Sequence, residues 1–166
     1  MKTGVVVWVT GLPSAGKSTL AMELTQKLRA RGDSACLLDG DQVRASLVPA
    51  PGYSAEERAN FYESLARLAA LVAEQGLVVV VAATAHRRAF RERARELAPA
   101  FMEVWVDTPL SECEQRDAKG LYAARQAGEA PGLPGAGEAY EAPSQPDVVA
   151  HGGHDAQALT ALLARV

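Results

Sequence analysis

The chain has 166 residues, of which 48% are hydrophobic, 22% charged and 5% aromatic. That length fits one domain with a sizeable core. Its 17 lysines and arginines against 20 aspartates and glutamates give a net charge of −3, which argues against capture of nucleic acid or an anionic membrane. No apolar run reaches the ~18 residues of a membrane-spanning helix. Because Cys36 and Cys113 lie far apart in no metal-ligand spacing, we expect no disulfide framework and a cytoplasmic location.

Short apolar runs alternate with segments of helical period, which is typical of βαβ units and a parallel sheet. We predict five strands, over residues 5–10, 35–39, 77–83, 101–106 and 148–149. The predicted helices cover residues 19–31, 42–47, 55–75, 86–97 and 111–117, with a last one around residues 159–163. Ser54 and Glu57 form a predicted capping box at the start of the third helix. The pattern predicts an α/β fold with helices on both faces of a five-stranded parallel sheet.

The composition changes between Gly120 and Pro146, where glycine and proline dominate the stretch from Gly128 to Gly137. Such a segment has few large apolar residues and is not expected to pack as core. Since strand and helix patterns resume after it, a lid is a better interpretation than a disordered tail. We therefore predict one domain over residues 1–166, with a mobile lid over residues 116–146.

The segment from Gly11 to Ser18 matches G-x-x-x-x-G-K-[ST] at every position, between a predicted buried strand and an amphipathic helix. In this phosphate-binding loop (P-loop), backbone N–H groups surround phosphates, Lys17 reaches the β- and γ-phosphates and the Ser18 hydroxyl ligates Mg²⁺. The following helix directs its positive N-terminus at the anion. The predicted nucleotide-binding residues are Gly11, Pro13, Ser14, Ala15, Gly16, Lys17, Ser18 and Thr19.

P-loop proteins include small-molecule kinases, switch GTPases and motor ATPases, and a short chain with a basic lid favours a kinase. Asp39 and Asp41 follow the second predicted strand, at the edge where α/β folds bind ligands. They are candidates to orient an acceptor hydroxyl or to hold water on a metal ion. The alternative is that Asp41 caps the next helix. Asp107, after the fourth strand, is interpreted as a helix-entry residue.

Several motifs together resemble the adenylyl-sulfate kinase (APS kinase) family, whose members phosphorylate the 3′-hydroxyl of adenosine 5′-phosphosulfate (APS). They are the P-loop, LDGDQVR over residues 38–44, GYS with Arg58, EVWVD over 103–107, CEQRDAKGLY over 113–122 and YEAP over 140–143. They keep their order and spacing over residues 4–148. The resemblance implies a three-layer P-loop kinase fold, the donor ATP with Mg²⁺, a small anionic acceptor and a possible homodimer.

The same resemblance implies residue roles. Lys17, Asp39 and Asp41 would be catalytic, with both carboxylates near Mg²⁺ and the attacking hydroxyl. Arg116 would contact the donor nucleotide. The acceptor would be bound by Asp41, Arg44, Tyr53, Arg58, Phe61, Lys119 and Leu133. Guanidinium groups suit a ligand that carries phosphate and sulfate.

Four places differ from the family's pattern. One is the pair Glu63 and Ser64, which stands where the family has paired basic residues. Phe61 stands where the family has asparagine, residues 84–87 where it has Ile-Ser-Pro-Tyr, and Leu133 where it has an aromatic lid residue. A second hypothesis is therefore a kinase with the same donor machinery and another hydroxyl acceptor, such as a nucleotide or a phosphorylated metabolite. A third is a non-catalytic nucleotide-binding regulator, against which the intact Lys17 and Ser18 argue.

One face of a predicted helix carries a stripe of Arg87, Arg91 and Arg95, and we expect this face to be exposed to solvent. The alternative is that Arg87 supplies contacts to the acceptor. We expect His86 to be a neutral surface histidine rather than a base or ligand. His151 and His154 are interpreted as loop residues before the last helix rather than a metal pair, and Cys113 as a packed helix residue.

Overall fold

The computed structural model describes residues 3–128 and 139–166. Its strands are β1 (Val5–Thr10), β2 (Ala35–Asp39), β3 (Val78–Ala82), β4 (Phe101–Val106) and β5 (Val148–Ala150). All neighbouring pairs are parallel and the sheet order is β2-β3-β1-β4-β5. The prediction of a five-stranded parallel sheet is confirmed.

The helices are α1 (Lys17–Arg31), α2 (Gly40–Ser46), α3 (Ala55–Glu74), α4 (Arg88–Leu97), α5 (Leu110–Arg116), α6 (Leu121–Gln126) and α7 (Ala156–Arg165). All but α6 were predicted, with ends that agree within about two residues except at the last helix, of which the sequence indicated only the middle. Tyr122 on α6 is buried, so the expectation that residues 120–146 hold no core residue is wrong there. The proposed lid residues 129–138 lie outside the described part of the chain.

Strand β1 forms the centre of the fold because its side chains are buried on both faces of the sheet. On one face, Val7 and Val9 pack with α1 and α7 residues such as Leu24 and Leu162. On the other face, Trp8 packs against α3 and α4 residues. Two hydrophobic layers thus flank the sheet, and its carboxyl edge carries the loops that follow β1, β2 and β3.

Helix α3 begins with the predicted capping box. The Glu57 amide donates to Ser54 Oγ at 3.2 Å, and the Glu57 carboxylate accepts from the Ser54 amide at 3.1 Å. Leu65 and Ala69 are buried on the helix, whereas Leu68 is 38% exposed.

The Ser54→Ala substitution removes one half of this capping box. We expect it to lower the free energy of unfolding by about 1 kcal/mol, because the Glu57 amide loses its acceptor at the helix start. Urea unfolding followed by circular dichroism measures the change. Ser46→Ala at the end of α2, which loses only a hydroxyl bond back to the Gln42 carbonyl, serves as the control and should change stability much less.

The expected solvated arginine stripe on α4 is wrong at its middle residue. Arg91 is 1% exposed, and its Nε donates to Glu103 Oε2 on β4 at 2.9 Å. A buried carboxylate inside the sheet holds this guanidinium under the helix, because a charge so deep needs a hydrogen-bonded partner. Arg87, in contrast, is exposed, and Arg95 is half-buried.

Both cysteines are free thiols, and Cys113 is buried within α5 as predicted. Burial raises the pKa of the Cys113 thiol. Among the described residues, no helix combines the length and the hydrophobicity that a bilayer span requires.

Candidate active site

A cavity of about 930 Å³ opens at the carboxyl edge of the sheet. It brings together nearly all of the predicted site residues: Pro13, Ser14, Gly16, Lys17, Ser18, Thr19, Asp39, Asp41, Arg44, Tyr53, Arg58, Phe61, Arg116 and Lys119. Gly11 and Ala15 of the P-loop are buried and do not line the cavity. Leu133 lies outside the described residues.

The P-loop has the strained backbone that a phosphate cradle requires. Ser14 and Gly16 both adopt positive φ, of 62° and 107°. A Cβ on Gly16 would lie 2.6 Å from the Gly153 nitrogen, so glycine is required there by space as well as by conformation. The ammonium of Lys17 donates to the Leu12 carbonyl at 2.7 Å, across the mouth of the loop.

Distant parts of the chain hold the P-loop from beneath. Thr108 Oγ1 donates to the Ala15 carbonyl at 2.7 Å, and the Tyr122 hydroxyl donates to the Pro13 carbonyl at 2.9 Å. The Ala118 amide donates to Ser14 Oγ at 3.1 Å. The loop is therefore preorganised, which is what electrostatic binding of phosphate needs.

The charge of Lys17 is disfavoured by its surroundings. Burial, followed by repulsion from Lys119, lowers the pKa of Lys17 to about 8. A triphosphate beside the ammonium would favour its charged form. Binding of nucleotide and protonation of this lysine are therefore expected to be coupled.

The coupling predicts a pH-dependent nucleotide affinity. Above pH 8 the free protein loses the Lys17 proton that the complex needs, so affinity should fall as pH rises, up to about tenfold per pH unit. Calorimetric titration with ATP between pH 7 and pH 9.5 measures this slope. Lys17→Arg is the control, because its guanidinium stays charged and its slope should be flat. A flat slope for the unaltered protein would contradict the prediction.

The two carboxylates after β2 have different roles in the structure. Asp39 is the N-cap of α2, since its Oδ1 accepts from the Asp41 amide at 3.0 Å. Its Oδ2 accepts from the Ser18 hydroxyl at 2.6 Å. The alternative that Asp41 caps this helix is wrong, because the cap falls two residues earlier. The Asp41 carboxylate instead forms an ion pair with Lys119 at the cavity. Asp107, expected at a helix entry, is separated from α5 by Thr108 and the N-cap Pro109.

Cations and aromatic rings form the opposite part of the cavity. The Arg44 guanidinium lies 4.2 Å from the Phe61 ring centroid and 4.5 Å from that of Tyr53. Its Nη1 donates to the Pro51 and Gly52 carbonyls. Arg58 lies over Tyr53 at 5.9 Å. Phe61 is thus a support for Arg44, a role the sequence did not indicate.

Part of the cavity wall was not predicted from the sequence. His86 is 2% exposed and lines the cavity, so the expectation of a surface histidine is wrong. Its ring contacts the Tyr62 and Phe90 rings edge-on, at 6.3 and 5.5 Å between centroids. The signal that could have found it is its position in the loop that follows β3, at the carboxyl edge of the sheet.

The loop before α7 also lines the cavity, through residues 151–155. Gly153 packs against the P-loop, since a Cβ there would lie 2.9 Å from the Gly16 carbonyl oxygen. His151 and His154 lie in this loop, as predicted, and the described residues contain no cluster of three or more metal-ligating side chains. A hard cation such as Mg²⁺ needs fewer protein ligands, because waters and phosphates complete its shell.

Comparisons with known proteins agree with this geometry. The sequence profile of the family described as adenylylsulphate kinase matches residues 3–151. An adenylyl-sulfate kinase from Picosynechococcus is 41% identical over 145 residues, which are 87% of this chain and 82% of the relative. One from Yersinia pestis is 44% identical over 151 residues, which are 90% and 71% of the two chains.

Among solved structures, the APS kinase of Mycobacterium tuberculosis in complex with AMPPNP and APS superimposes with a TM-score of 0.89. The two are 38% identical, and the match covers 98% of this chain and 97% of that one. The likeness includes the P-loop fold and extends over the whole sheet. The chain belongs to the adenylylsulphate kinase family.

Proposed function

We propose that the protein transfers the γ-phosphoryl group of ATP to the 3′-hydroxyl of APS, giving 3′-phosphoadenosine 5′-phosphosulfate (PAPS) and ADP. The observation that carries this proposal is one cavity lined both by the P-loop and by the Arg44 and Arg58 side chains. The first supports a phosphoryl donor, and the second an acceptor with a strongly anionic end. The family and the relatives that this chain resembles are named adenylyl-sulfate kinase, which is the activity proposed here.

At the donor end, the P-loop amides and Lys17 would bind the β- and γ-phosphates. Thr19 and the start of α1 add the positive end of a helix. Arg116, exposed at the end of α5 and paired with Glu112 at 3.5 Å, would lie against the donor nucleotide. The transition state spreads charge over three phosphoryl oxygens, so positioning and neutralisation are what these groups supply.

The oxygens beside the P-loop fit a magnesium ion. Ser18 Oγ and Asp39 Oδ2 lie 2.6 Å apart, and both are hard oxygen ligands. Such a pair, with waters and two phosphate oxygens, is the kind of shell that Mg²⁺ accepts. When bound, the ion would neutralise charge that develops on the β- and γ-phosphates.

At the acceptor end, Arg44 and Arg58 would bind the phosphosulfate group, and the exposed ring of Tyr53 would stack on the adenine. Asp41 faces the cavity from α2 and would orient the 3′-hydroxyl. In the transfer, that hydroxyl oxygen bonds to the γ-phosphorus and the bond to the ADP oxygen breaks. The hydroxyl proton passes to Asp41 or to solvent, and Lys119 holds the Asp41 carboxylate in place.

A second candidate function is suggested by the cavity wall on the acceptor side, which Phe61 and His86 help to form. His86 is buried in that wall, and the Phe61 ring lies against the Arg44 guanidinium. Both stand where the family's pattern has other residues. The same donor machinery would then serve another anionic hydroxyl compound, a nucleotide or a phosphorylated metabolite.

ADP release distinguishes the candidates. Purified protein with ATP and Mg²⁺ should release ADP at a rate that rises steeply when APS is added, and much less with other nucleotides and sugar phosphates. A larger stimulation by one of those compounds would favour the second candidate. ATP binding without ADP release for any acceptor would favour the regulator and contradict both.

The cellular setting is part of the proposal. Two free cysteines fit a reducing compartment, and we place the enzyme in the cytoplasm, where ATP is available. A homodimer remains a prediction, which sedimentation analysis of the purified protein tests. The single domain with a lid over residues 116–146 remains a prediction too.

A further inference from the structure

The loop at residues 84–86 joins β3 to α4 and forms part of the cavity wall through Thr84 and His86. Between them, Ala85 is fully buried and adopts a φ of 41°, in the left-handed region that alanine rarely occupies. A strained backbone persists only where its surroundings fix it in several ways. The contacts of this loop are therefore informative.

Three successive carbonyl oxygens of the loop each accept a hydrogen bond from a different part of the chain. The donors are the Thr10 hydroxyl to Thr84 at 2.6 Å, Arg91 Nη1 to Ala85 at 2.5 Å, and the Glu141 amide to His86 at 2.8 Å. The loop is thus fixed by β1, by α4 and by the segment that follows residue 139.

Arg91 connects two of these parts. Its Nη1 donates to the Ala85 carbonyl, its Nη2 donates to the Glu141 carbonyl, and its Nε donates to Glu103. One guanidinium therefore holds the strained residue and the chain segment that itself binds His86. Such a buried pair is weak evidence for a role in stability, because apolar replacements of both partners are often tolerated.

The loop is connected to the acceptor end of the cavity by ring contacts. His86 lies against Tyr62, the Tyr62 and Phe61 rings are 5.6 Å apart, and Phe61 supports Arg44. A displacement of the loop would therefore reach the groups that we assign to the acceptor.

We propose, on the basis of the function proposed above, that Arg91 is a positioning residue for the acceptor. Its guanidinium holds the Ala85 and Glu141 carbonyls so that the wall formed by residues 84–86 keeps the shape that binds APS. It touches neither nucleotide. Its loss changes acceptor binding while donor binding is preserved.

The test separates positioning from stability by removing both buried charges. In the double variant Arg91→Met with Glu103→Met, no buried charge is left without its partner. The Ala85 and Glu141 carbonyls, however, lose the donor that Arg91 supplied. We expect this protein to fold and its KM for APS to rise about tenfold or more, since a small misplacement in a site has large effects. Its KM for ATP should stay within about twofold.

Two further variants act as controls. Glu103→Gln removes the charge of the partner but keeps an acceptor for Arg91 Nε, so the KM for APS should change little. Arg93→Met removes a half-buried arginine of the same helix, whose ion pairs go to Glu63 and Glu96, and should change neither KM.

A folded double variant with an unchanged KM for APS would overturn the proposal. So would failure of the double variant and of Arg91→Gln with Glu103→Gln to fold, because Arg91 would then serve the fold itself. The unaltered protein is assayed in parallel. If it does not phosphorylate APS, the proposed function fails, and the variants are compared on the acceptor that the ADP-release panel identifies.

Discussion

Lys17→Met is expected to lower kcat by about 10²–10³-fold, because one preorganised charge is removed from the phosphoryl group in transfer. The apolar side chain keeps the length of lysine and adds no new charge. The substitution also removes a partly buried ammonium whose pKa is lowered to about 8, so the protein without nucleotide should be no less stable. Steady-state assay of ADP release and thermal unfolding measure the two effects.

The control is Lys27→Met on the same helix α1. Lys27 is exposed and remote from the cavity lining, so kcat should be unchanged. A Lys17→Met protein with kcat within a few-fold of the unaltered enzyme would exclude Lys17 from the transfer step.

Asp39→Asn lowers kcat by about 10²-fold while the fold is kept. Asparagine caps helices as well as aspartate does, so the bond from the Asp41 amide survives and α2 should stay stable. The carboxylate beside Ser18 is lost, however, and with it a charged oxygen for the magnesium shell. We expect the Mg²⁺ concentration for half-maximal rate to rise.

Asp33→Asn tests whether that effect is specific. Asp33 forms a surface ion pair with Arg31 at 2.6 Å, far from the cavity lining, and such pairs contribute little to stability. Its rate and its Mg²⁺ dependence should match the unaltered enzyme. If Asp39→Asn leaves the Mg²⁺ dependence unchanged, the carboxylate does not serve the metal, whatever happens to kcat.

The layered fold could be predicted from the sequence because its signals are local. The apolar run of β1, the helical spacing of Leu20, Leu24 and Leu28, and the Ser54–Glu57 cap each report on neighbours within one turn or strand. The P-loop was predictable for the same reason, since its eight residues are contiguous.

Burial of single polar residues could not be predicted in this way. Arg91 carries the spacing of a solvated stripe, and only its partner Glu103, 12 residues away on β4, makes it a core residue. The available signal was the glutamate inside an otherwise apolar strand, at residues 101–106. A carboxylate there needs a buried cation.

The loops of the cavity wall show the same limit. His86 and residues 151–155 come to the site because they follow β3 and β5 at one edge of the sheet. That placement depends on which strand ends share one edge of the sheet, and the residue pattern within each loop does not contain it. The edge rule for parallel strands was applied to Asp39 and Asp41 and, as an alternative, to Arg87. Extended to His86 and to the residues after β5, the rule includes both loops.

Phosphorus NMR of the products tests the central claim most directly, namely that one cavity transfers phosphate from ATP to the 3′-hydroxyl of APS. Incubation of the protein with ATP, Mg²⁺ and APS should produce ADP together with a new phosphomonoester signal coupled to the ribose H3′ proton, in equal amounts. ADP that accumulates with inorganic phosphate alone, or a phosphomonoester at another position, would contradict the account.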